Sequence, residues 1–326
     1  MKAIHRDLVP NLQARQYTLT VRDSRAGALL AVIPLVLQKS VGLTLAQPAD
    51  FGVCDYNTIV GDPATLERLA ADPSVTRRIN ALLAPADALM FRKLPDQSFQ
   101  VSRLFGAMTS TPCENAAYYS ETGEDFEEWQ RRTLRRKFSK ELSRLARQFE
   151  REHGTYTHRP ASNEAEIRQA FEALRTFRNG RFESDLLDSD VYFNFYLDYA
   201  IAARESGEAI TYVSYLDGQP VAVLFGLSSG NQFHAVLIGA DTEHYGKFSL
   251  GTQIIFRTIK ARFDQGHRRF DMGLGNTGYK SQFRVEQSLL RNYTSSRSLT
   301  GSVVTFVYHH AKPLKDRLRR YVPHVR

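Results

Sequence analysis

Short alternating or apolar segments dominate the first third of the chain and predict strands with little helix. Residues 17–23 alternate between apolar and polar positions, as a half-buried strand does. Residues 28–37 are apolar almost throughout and predict a buried strand, in which Pro34 favours an edge position or a bulge. Residues 66–83 can form a helix, and residues 88–94 predict a further strand.

One long amphipathic helix is predicted over residues 125–152. Its apolar side chains recur every three or four residues and form a single stripe, made of Leu134, Phe138, Leu142, Leu145 and Phe149. His153 and Gly154 then supply a helix-end signal. The weakly patterned stretch 106–123 before this helix is the predicted boundary region, and it divides the chain into domains 1–117 and 118–326.

The remainder of the chain alternates between helices and strands. Two amphipathic helices, 164–177 and 191–203, precede three strands in quick succession at 209–216, 221–227 and 232–238. Asp217-Gly218 between the first two strands is a hairpin turn pair. A helix over 250–265 ends at Gly266, which suits a left-handed cap. A short strand at 270–273 then enters a glycine-rich loop.

Size and composition place the chain among globular proteins. Its 326 residues suggest two domains, at roughly 100–200 residues each. A hydrophobic fraction of 42% and a charged fraction of 24% exclude a disordered or collagen-like chain. The longest apolar run is too short to span a bilayer, the first residues do not resemble a signal peptide, and the 2 cysteines favour a reduced compartment. We expect a soluble, cytoplasmic protein without a bound metal.

Positive charge is concentrated in two segments rather than spread over the chain. Residues 131–151 contain nine basic and two acidic residues, and residues 311–326 contain six basic and one acidic residue. The rest of the chain holds 28 basic against 32 acidic residues, so its net charge is slightly negative. The two segments are candidates for binding an anionic partner, either RNA or an anionic lipid surface at the inner face of the membrane, although a solvated helix face is the more common explanation of a run such as 131–151. The oligomeric state cannot be read from the sequence.

The segment 239–252 is the first candidate for chemistry, because a strand ends and a helix begins there. Gly246, Lys247, Ser249 and Gly251 lie at this junction. First-turn amides lack backbone partners and face the positive end of the helix dipole, so they can bind a pyrophosphate where glycines leave room. The alternative is an ordinary connection in which Ser249 caps the helix.

The second candidate is the segment 270–280, where three glycines within six residues allow a ligand to approach the backbone. Asp271, Tyr279 and Lys280 can reach a cleft from this loop. Alternatively, Asp271 caps a turn, Tyr279 packs in the core and Lys280 is solvated.

Taken together, the two segments resemble the GNAT acyl-CoA N-acyltransferases, and most closely their CelD-like branch from cellulose biosynthesis. The Fem peptidoglycan aminoacyltransferases are more distant. The likeness rests on the basic helix at 134–142, the junction at 239–252, and Phe270-Asp-Met-Gly followed by Tyr279-Lys280. It covers roughly residues 118–310. It implies an α/β (α+β) fold, with a mixed, largely antiparallel sheet flanked by helices and a degenerate GNAT-like N-terminal half.

The resemblance also implies acyl-CoA, such as acetyl-CoA, as the co-substrate. In this family the strand before the junction splays from its neighbour and the pantetheine arm enters the gap. The residues implied to bind the pyrophosphate are Gly246, Lys247, Ser249, Leu250, Gly251 and Thr252. The loop departs from the common family pattern, because Gly246 and Gly251 are five residues apart.

The implied reaction is direct attack of an amine on the thioester, with no covalent enzyme intermediate. Asp271 is the first choice of general base and His234 the second, since an imidazole titrates near neutrality. Tyr279 would protonate the departing thiolate, and Lys280 would hold an acidic acceptor or a phosphate. Tyr192 and Tyr196 are candidates to line the acceptor site, although clustered aromatic residues on a helix commonly form core.

Three functions remain open from the sequence. The first is an acyltransferase acting on an amine, such as an amino sugar or a cell-envelope or polysaccharide precursor. The second is a Fem-like enzyme that takes an aminoacyl group from charged tRNA and uses the basic helix to bind RNA. The third is a catalytically inactive scaffold, with its C-terminal tail on anionic lipid.

Overall fold

The computed structural model describes residues 2–40, 42–96, 98–181, 185–275 and 279–309. The chain divides into two compact units, of which the first contains residues 1–114 and 289–326 and the second contains residues 115–288. The second unit is therefore inserted between two parts of the first. The sequence placed the boundary at 117/118 and kept everything after it in one domain, whereas the structure returns the segment from 289 onward to the first unit.

The first unit is built mainly from strands. Its N-terminal part contains strands β1 (Ala14–Gln16), β2 (Leu19–Arg22), β3 (Leu29–Ile33), β4 (Leu35–Ser40), β5 (Leu43–Pro48), β6 (Val60–Gly61), β7 (Ala88–Pro95) and β8 (Thr109–Pro112) and helices α1 (Pro63–Ala71), α2 (Pro73–Leu82) and α3 (Ser102–Phe105). Strands β2, β3 and β6 form a three-stranded sheet in the order β2-β3-β6. Residues 4–8 form a short π-helix.

Two predicted elements of this unit are each divided in the structure. The apolar run 28–37 becomes β3 and β4, which belong to different sheets and meet at Pro34. Proline has no N–H to donate to a ladder, so the strand breaks there. The predicted helix 66–83 becomes α1 and α2, because Asp72 adopts an extended conformation and accepts a hydrogen bond from Ser74 N while Pro73 starts the second helix.

The second unit is a sheet with helices on both faces. Its elements are strands β9 (Ala117–Glu121), β10 (Tyr156–Pro160), β11 (Ala209–Leu216), β12 (Gln219–Ser229), β13 (Gln232–Ala240), β14 (Arg269–Leu274) and β15 (Glu286–Ser288) and helices α4 (Phe126–Thr133), α5 (Arg136–His153), α6 (Glu164–Arg178), α7 (Asp190–Ala202), α8 (Thr242–Tyr245) and α9 (Leu250–Asp264). Short 3₁₀ turns cover Leu186–Asp188, Gly246–Phe248 and Lys280–Phe283. The sheet order is β10-β11-β12-β13-β14-β9-β15, and among the described strand pairs of this sheet only β13–β14 is parallel.

The alternation along β12 explains the two helical layers. Leu224 is completely buried in a core with Ile254 and other residues of α9. The next residue, Phe225, points to the other face and packs edge-on against Phe171 of α6. Because successive strand residues face opposite sides, one buried strand contributes to both layers.

Several local predictions for this unit are confirmed. Asp217 and Gly218 have φ values of 46° and 82°, as a tight hairpin turn requires, and Gly266 follows α9 with φ 92°. The predicted helix 125–152 is instead two helices, α4 and α5, because Leu134 and Arg135 are extended. No glycine or proline marks this break. Leu134 is buried in the core of the unit, so packing sets the position of the break.

After the second unit the chain returns to the first through β16 (Leu290–Ser296). This strand lies between β7 and β8 and completes a six-stranded sheet in the order β1-β4-β5-β7-β16-β8. Residues 299–309 then form a helix.

Candidate functional site

Strands β13 and β14 lie side by side for only three residues and then separate. Residues 232–234 pair in parallel with residues 269–271, and beyond that point β13 continues to Ala240 with β12 as its described partner. On β13, Leu237 faces Phe225 and Ala235 faces Gly226, so Val236 is an additional, bulged residue. On β14, Gly273 has φ 71° and the register with β9 shifts. Both irregularities occur just beyond the last β13–β14 pair, where the strands separate.

His234 and Asp271 form the last residue pair before the strands separate. They are partners in the parallel register, and His234 Nδ1 lies 3.6 Å from Asp271 Oδ2. The His234 side chain is 32% exposed and that of Asp271 is 7% exposed, so the imidazole offers the more accessible surface. The other carboxylate oxygen, Asp271 Oδ1, accepts a hydrogen bond from Gly273 N at 2.7 Å. The two residues proposed as alternative bases therefore form one pair, and Asp271 also fixes the turn after it.

The start of α9 presents backbone amides without a side-chain cap. Ser249 occupies the N-cap position in a left-handed conformation (φ 54°, ψ 42°), and its hydroxyl makes no capping hydrogen bond. Thr252 N and Gln253 N donate to Ser249 O at 2.9 and 3.0 Å. Leu250 and Gly251 occupy the first turn of α9, where the helix itself supplies no acceptor for the backbone N–H groups, so these amides lie at the positive end of the helix dipole.

The space around this junction is not filled by the described side chains. A Cβ added at Gly246 would meet nothing within 4 Å, and one at Gly251 would meet only Ala240 Cβ at 3.8 Å, an ordinary contact. The fold itself therefore does not require glycine at either position. Lys247 Nζ lies 3.1 Å from the Glu152 carboxylate, so this lysine is ion-paired in the structure.

The C-terminal half of α5 packs against the junction. Phe149 of this helix is completely buried and packs edge-on against Tyr245 and Phe248, with ring centroids 5.1 and 4.9 Å apart. Six exposed cations on α5 and the turn before it make no side-chain hydrogen bond or ion pair with any described residue: Arg135, Arg136, Lys137, Lys140, Arg147 and Arg151. The basic helix predicted from the sequence is thus physically joined to the junction.

Sequence reasoning missed three polar residues that shape this region. Arg178 Nη1 donates to the carbonyl of Ile238, in the part of β13 that β14 no longer accompanies, and its Nε donates to the buried carboxylate of Asp185, each at 2.8 Å. Gln253 Nε2 donates to Phe248 O at 2.8 Å and so fixes the turn before Ser249. Arg178 and Asp185 belong to no sequence motif, and the Ile238 carbonyl that Arg178 binds is 60 residues away. The only sequence signal for Gln253 is that it is a polar residue on an apolar helix.

Lys280 lies inside the protein rather than at its surface. It is 1% exposed, and its Nζ donates to the carbonyls of Gly273 and Leu274 at 3.0 and 2.8 Å. These contacts hold the bend that follows Asp271. They do not support the prediction that Lys280 binds an acidic acceptor or a phosphate.

The three predicted tyrosines differ in their surroundings. Tyr279 is partly buried and packs against the core of the second unit next to the 3₁₀ turn Lys280–Phe283. Tyr196 on α7 is 4% exposed and its ring packs edge-on against Phe225, 6.1 Å between centroids. Tyr192, on the same helix, is partly buried. Tyr196 is therefore a core residue, whereas Tyr279 follows the loop that begins at the separation of the strands.

The surroundings of Cys54 suppress the reactivity of its thiol, and the described residues contain no metal-binding cluster. Burial in the first unit, together with the nearby Asp50 carboxylate, raises the pKa of the Cys54 thiol to about 11, so this cysteine is not a nucleophile at neutral pH. Within the described ranges, no three His, Cys, Asp or Glu side chains are grouped so that they could hold a metal ion.

No described helix is long and apolar enough to cross a membrane.

Comparison with known proteins agrees with this geometry. Residues 136–281 match the model of the acetyltransferase (GNAT) domain. The crystal structure of FemX superimposes with a TM-score of 0.62 at 13% identity, covering 87% of this chain and 89% of FemX. L-PGS from Bacillus licheniformis gives a TM-score of 0.55 at 11% identity, covering 90% and 87%. No curated protein sequence matches the chain. The predicted mixed, largely antiparallel GNAT-like fold is confirmed.

Proposed function

We propose that the second unit transfers an acetyl or longer acyl group from acyl-CoA directly to an amine, with an amino sugar or a cell-envelope precursor as the acceptor class. The observation that carries this proposal is the separation of β13 from β14 directly beyond the His234–Asp271 pair, next to the uncapped start of α9. A gap between strands accommodates an extended arm, and the free amides suit a diphosphate at its end.

Each group has a defined task in this reaction. The amides of Leu250 and Gly251 bind the diphosphate, with Lys247 free to join them once it leaves Glu152. The thioester supplies an activated acyl group. Asp271, or His234 beside it, would take a proton from the acceptor's ammonium group, so that the neutral amine attacks the thioester carbonyl. The C–N bond forms, the C–S bond breaks, and Tyr279 would donate a proton to the departing thiolate. Because both substrates are held in place, the reaction gains mainly from orientation and proton transfer.

Replacing Gly251 by Ala is expected to have opposite effects on stability and on ligand binding. Ala at this helical position should raise the free energy of unfolding by about 0.5–1 kcal/mol, since the new Cβ meets only Ala240 and alanine favours helix. The same Cβ crowds the diphosphate and should weaken acyl-CoA binding by about tenfold. Calorimetry with acetyl-CoA, longer acyl-CoAs and free CoA measures the affinity, and urea unfolding measures the stability.

Lys260→Ala, on the exposed side of the same helix, serves as the control and should bind acyl-CoA like the parent protein. If the parent protein binds none of the three CoA ligands, or if Gly251→Ala binds them unchanged, the diphosphate site is wrong.

A second candidate function is transfer of an aminoacyl group from charged tRNA. The observation that favours it is the group of six exposed cations on and before α5 that make no side-chain hydrogen bond or ion pair with a described residue. This helix packs against the junction. Such a surface binds a phosphate backbone, and the resemblance to the Fem aminoacyltransferases supplies the reaction.

The double variant Lys137→Glu/Lys140→Glu distinguishes the two donors. If RNA is the donor, this variant should weaken binding of an aminoacyl-tRNA by about tenfold or more, and binding should fall steeply with salt. Arg77→Glu/Arg78→Glu, on an exposed face of α2, is the matched control. Filter binding at several salt concentrations is the measurement. Equal tRNA affinity in both double variants would exclude this second function and leave acyl-CoA as the donor.

A further inference from the structure

The helix at residues 299–309 presents an apolar face to solvent. Four large apolar side chains on it are exposed: Leu299 at 90%, Val303 at 63%, Phe306 at 62% and Val307 at 52%. Their spacing of four, three and one residues places them on one side of the helix. Half of the exposed large apolar residues in the described chain lie on this one helix. Exposed apolar residues that are contiguous in this way mark an interaction surface.

The opposite face of the same helix is fixed to the first unit. The Ser298 hydroxyl donates to Asp87 Oδ1 at 2.7 Å and accepts from Gly301 N at 3.0 Å. A Cβ at Gly301 would lie 1.9 Å from the Asp87 carbonyl oxygen, so only glycine permits this approach. Further along, His309 Nε2 is hydrogen-bonded to Thr294 of β16. The helix is therefore anchored at both ends, and its apolar face is held outward.

Charge indicates what covers this face. Residues 299–309 contain no Asp, Glu, Lys or Arg, whereas residues 311–326 directly after them contain six basic residues and one acidic residue. These later residues lie outside the described structure, and only their composition is used. An uncharged apolar helix face next to a cationic segment fits an anionic phospholipid surface, where apolar side chains enter the headgroup boundary and cations meet the lipid charge.

We propose that the first unit docks on anionic membranes through the apolar face of the 299–309 helix. This surface is independent of the acyltransferase site in the second unit. It would place the enzyme at a membrane surface, where a lipid-linked acceptor is concentrated.

Flotation of the full-length protein with vesicles tests this proposal. We expect vesicles of phosphatidylcholine and phosphatidylglycerol to bind the protein about tenfold or more tightly than pure phosphatidylcholine vesicles, and less at high salt. Val303→Glu/Val307→Glu should lower binding to the mixed vesicles by about tenfold or more, because charges replace apolar groups at the contact. The matched control Leu82→Glu changes a 53% exposed apolar residue on α2 of the same unit and should leave binding unchanged.

A second variant, Arg319→Glu/Arg320→Glu, tests the charge separately and leaves the described helix intact. It should also weaken binding to the mixed vesicles by about tenfold. The proposal is overturned if binding does not depend on the anionic lipid, or if Val303→Glu/Val307→Glu and Leu82→Glu behave alike. It is also overturned if light scattering shows that the valine variant dissociates a dimer while vesicle binding stays at the parent level.

Discussion

Replacing Asp271 by Asn is expected to lower kcat for acyl transfer by about 10²–10⁴-fold, the range contributed by a general base. The amide cannot accept the proton of the attacking ammonium. The fold should be kept, because the asparagine Oδ1 can still accept the hydrogen bond from Gly273 N. Steady-state kinetics with the amine acceptor measure kcat, and calorimetry should show unchanged acyl-CoA affinity, since the carboxylate lies apart from the helix start.

His234→Gln is the matched comparison, because it removes the other member of the pair. A larger loss of kcat in His234→Gln than in Asp271→Asn would make the histidine the base. Tyr279→Phe should lower kcat as well, through loss of the proton donor to the thiolate. If all three variants retained the parent's biological function, the scaffold hypothesis would replace the enzyme.

Replacing Lys280 by Met is expected to lower the free energy of unfolding by about 3 kcal/mol. Lys280 is 1% exposed, and its ammonium group donates to the carbonyls of Gly273 and Leu274. Methionine has a similar length but no donor, so two buried acceptors lose their partner, at about 1–3 kcal/mol for each unsatisfied group. Urea unfolding followed by circular dichroism measures the change.

Lys260→Met is the control for this experiment, because Lys260 is an exposed lysine whose ion pair with Asp264 lies on the surface of α9. Its effect should stay within about 0.5 kcal/mol. Equal effects of the two substitutions would show that Lys280 does not stabilise the bend, and would restore the prediction that it contacts a ligand.

The two donor hypotheses differ in the surface beside the junction that binds the donor. Acyl-CoA needs the two amides of Leu250 and Gly251 and the gap beyond His234. Aminoacyl-tRNA needs the cations of α5, which packs below the same turn through Phe149. Under either hypothesis the acyl group would reach the same His234–Asp271 pair, so the two hypotheses share the proposed chemistry at the end of the gap.

Local patterns predicted those features that depend on neighbours in sequence. The Asp217-Gly218 turn, the Gly266 cap and the strand at 269–274 follow from backbone preferences and alternation within a few residues. The change from strand to helix within 239–252 was also predicted, because an apolar strand, a glycine-containing segment and an apolar helix follow one another in the sequence. Pro34 was recognised as a disturbance, but whether it would bend one strand or divide two could not be told from the run of apolar residues around it.

Long-range contacts decided the rest. The residues next to Lys280 in the sequence did not predict that it is buried. Its two acceptor carbonyls belong to a bend that forms only when β14 turns at Gly273. The sequence did not predict a role for Arg178, because its hydrogen bond to the carbonyl of Ile238 joins residues that are 60 positions apart. Likewise, the assignment of β16 to the first unit depends on pairing with β7, across the whole inserted second unit.

By itself, the sequence predicted the strand and helix types, a helix start at the junction that suits an anion, and Asp271 and His234 as candidate bases. These properties follow from backbone preference, periodicity and side-chain chemistry, which act over a few residues. Only the tertiary structure decided that the two residues form one pair at the point where β13 and β14 separate, and that Lys280 supports the bend from inside. Strand register and burial are set by packing between distant segments, and no short stretch of sequence contains both partners.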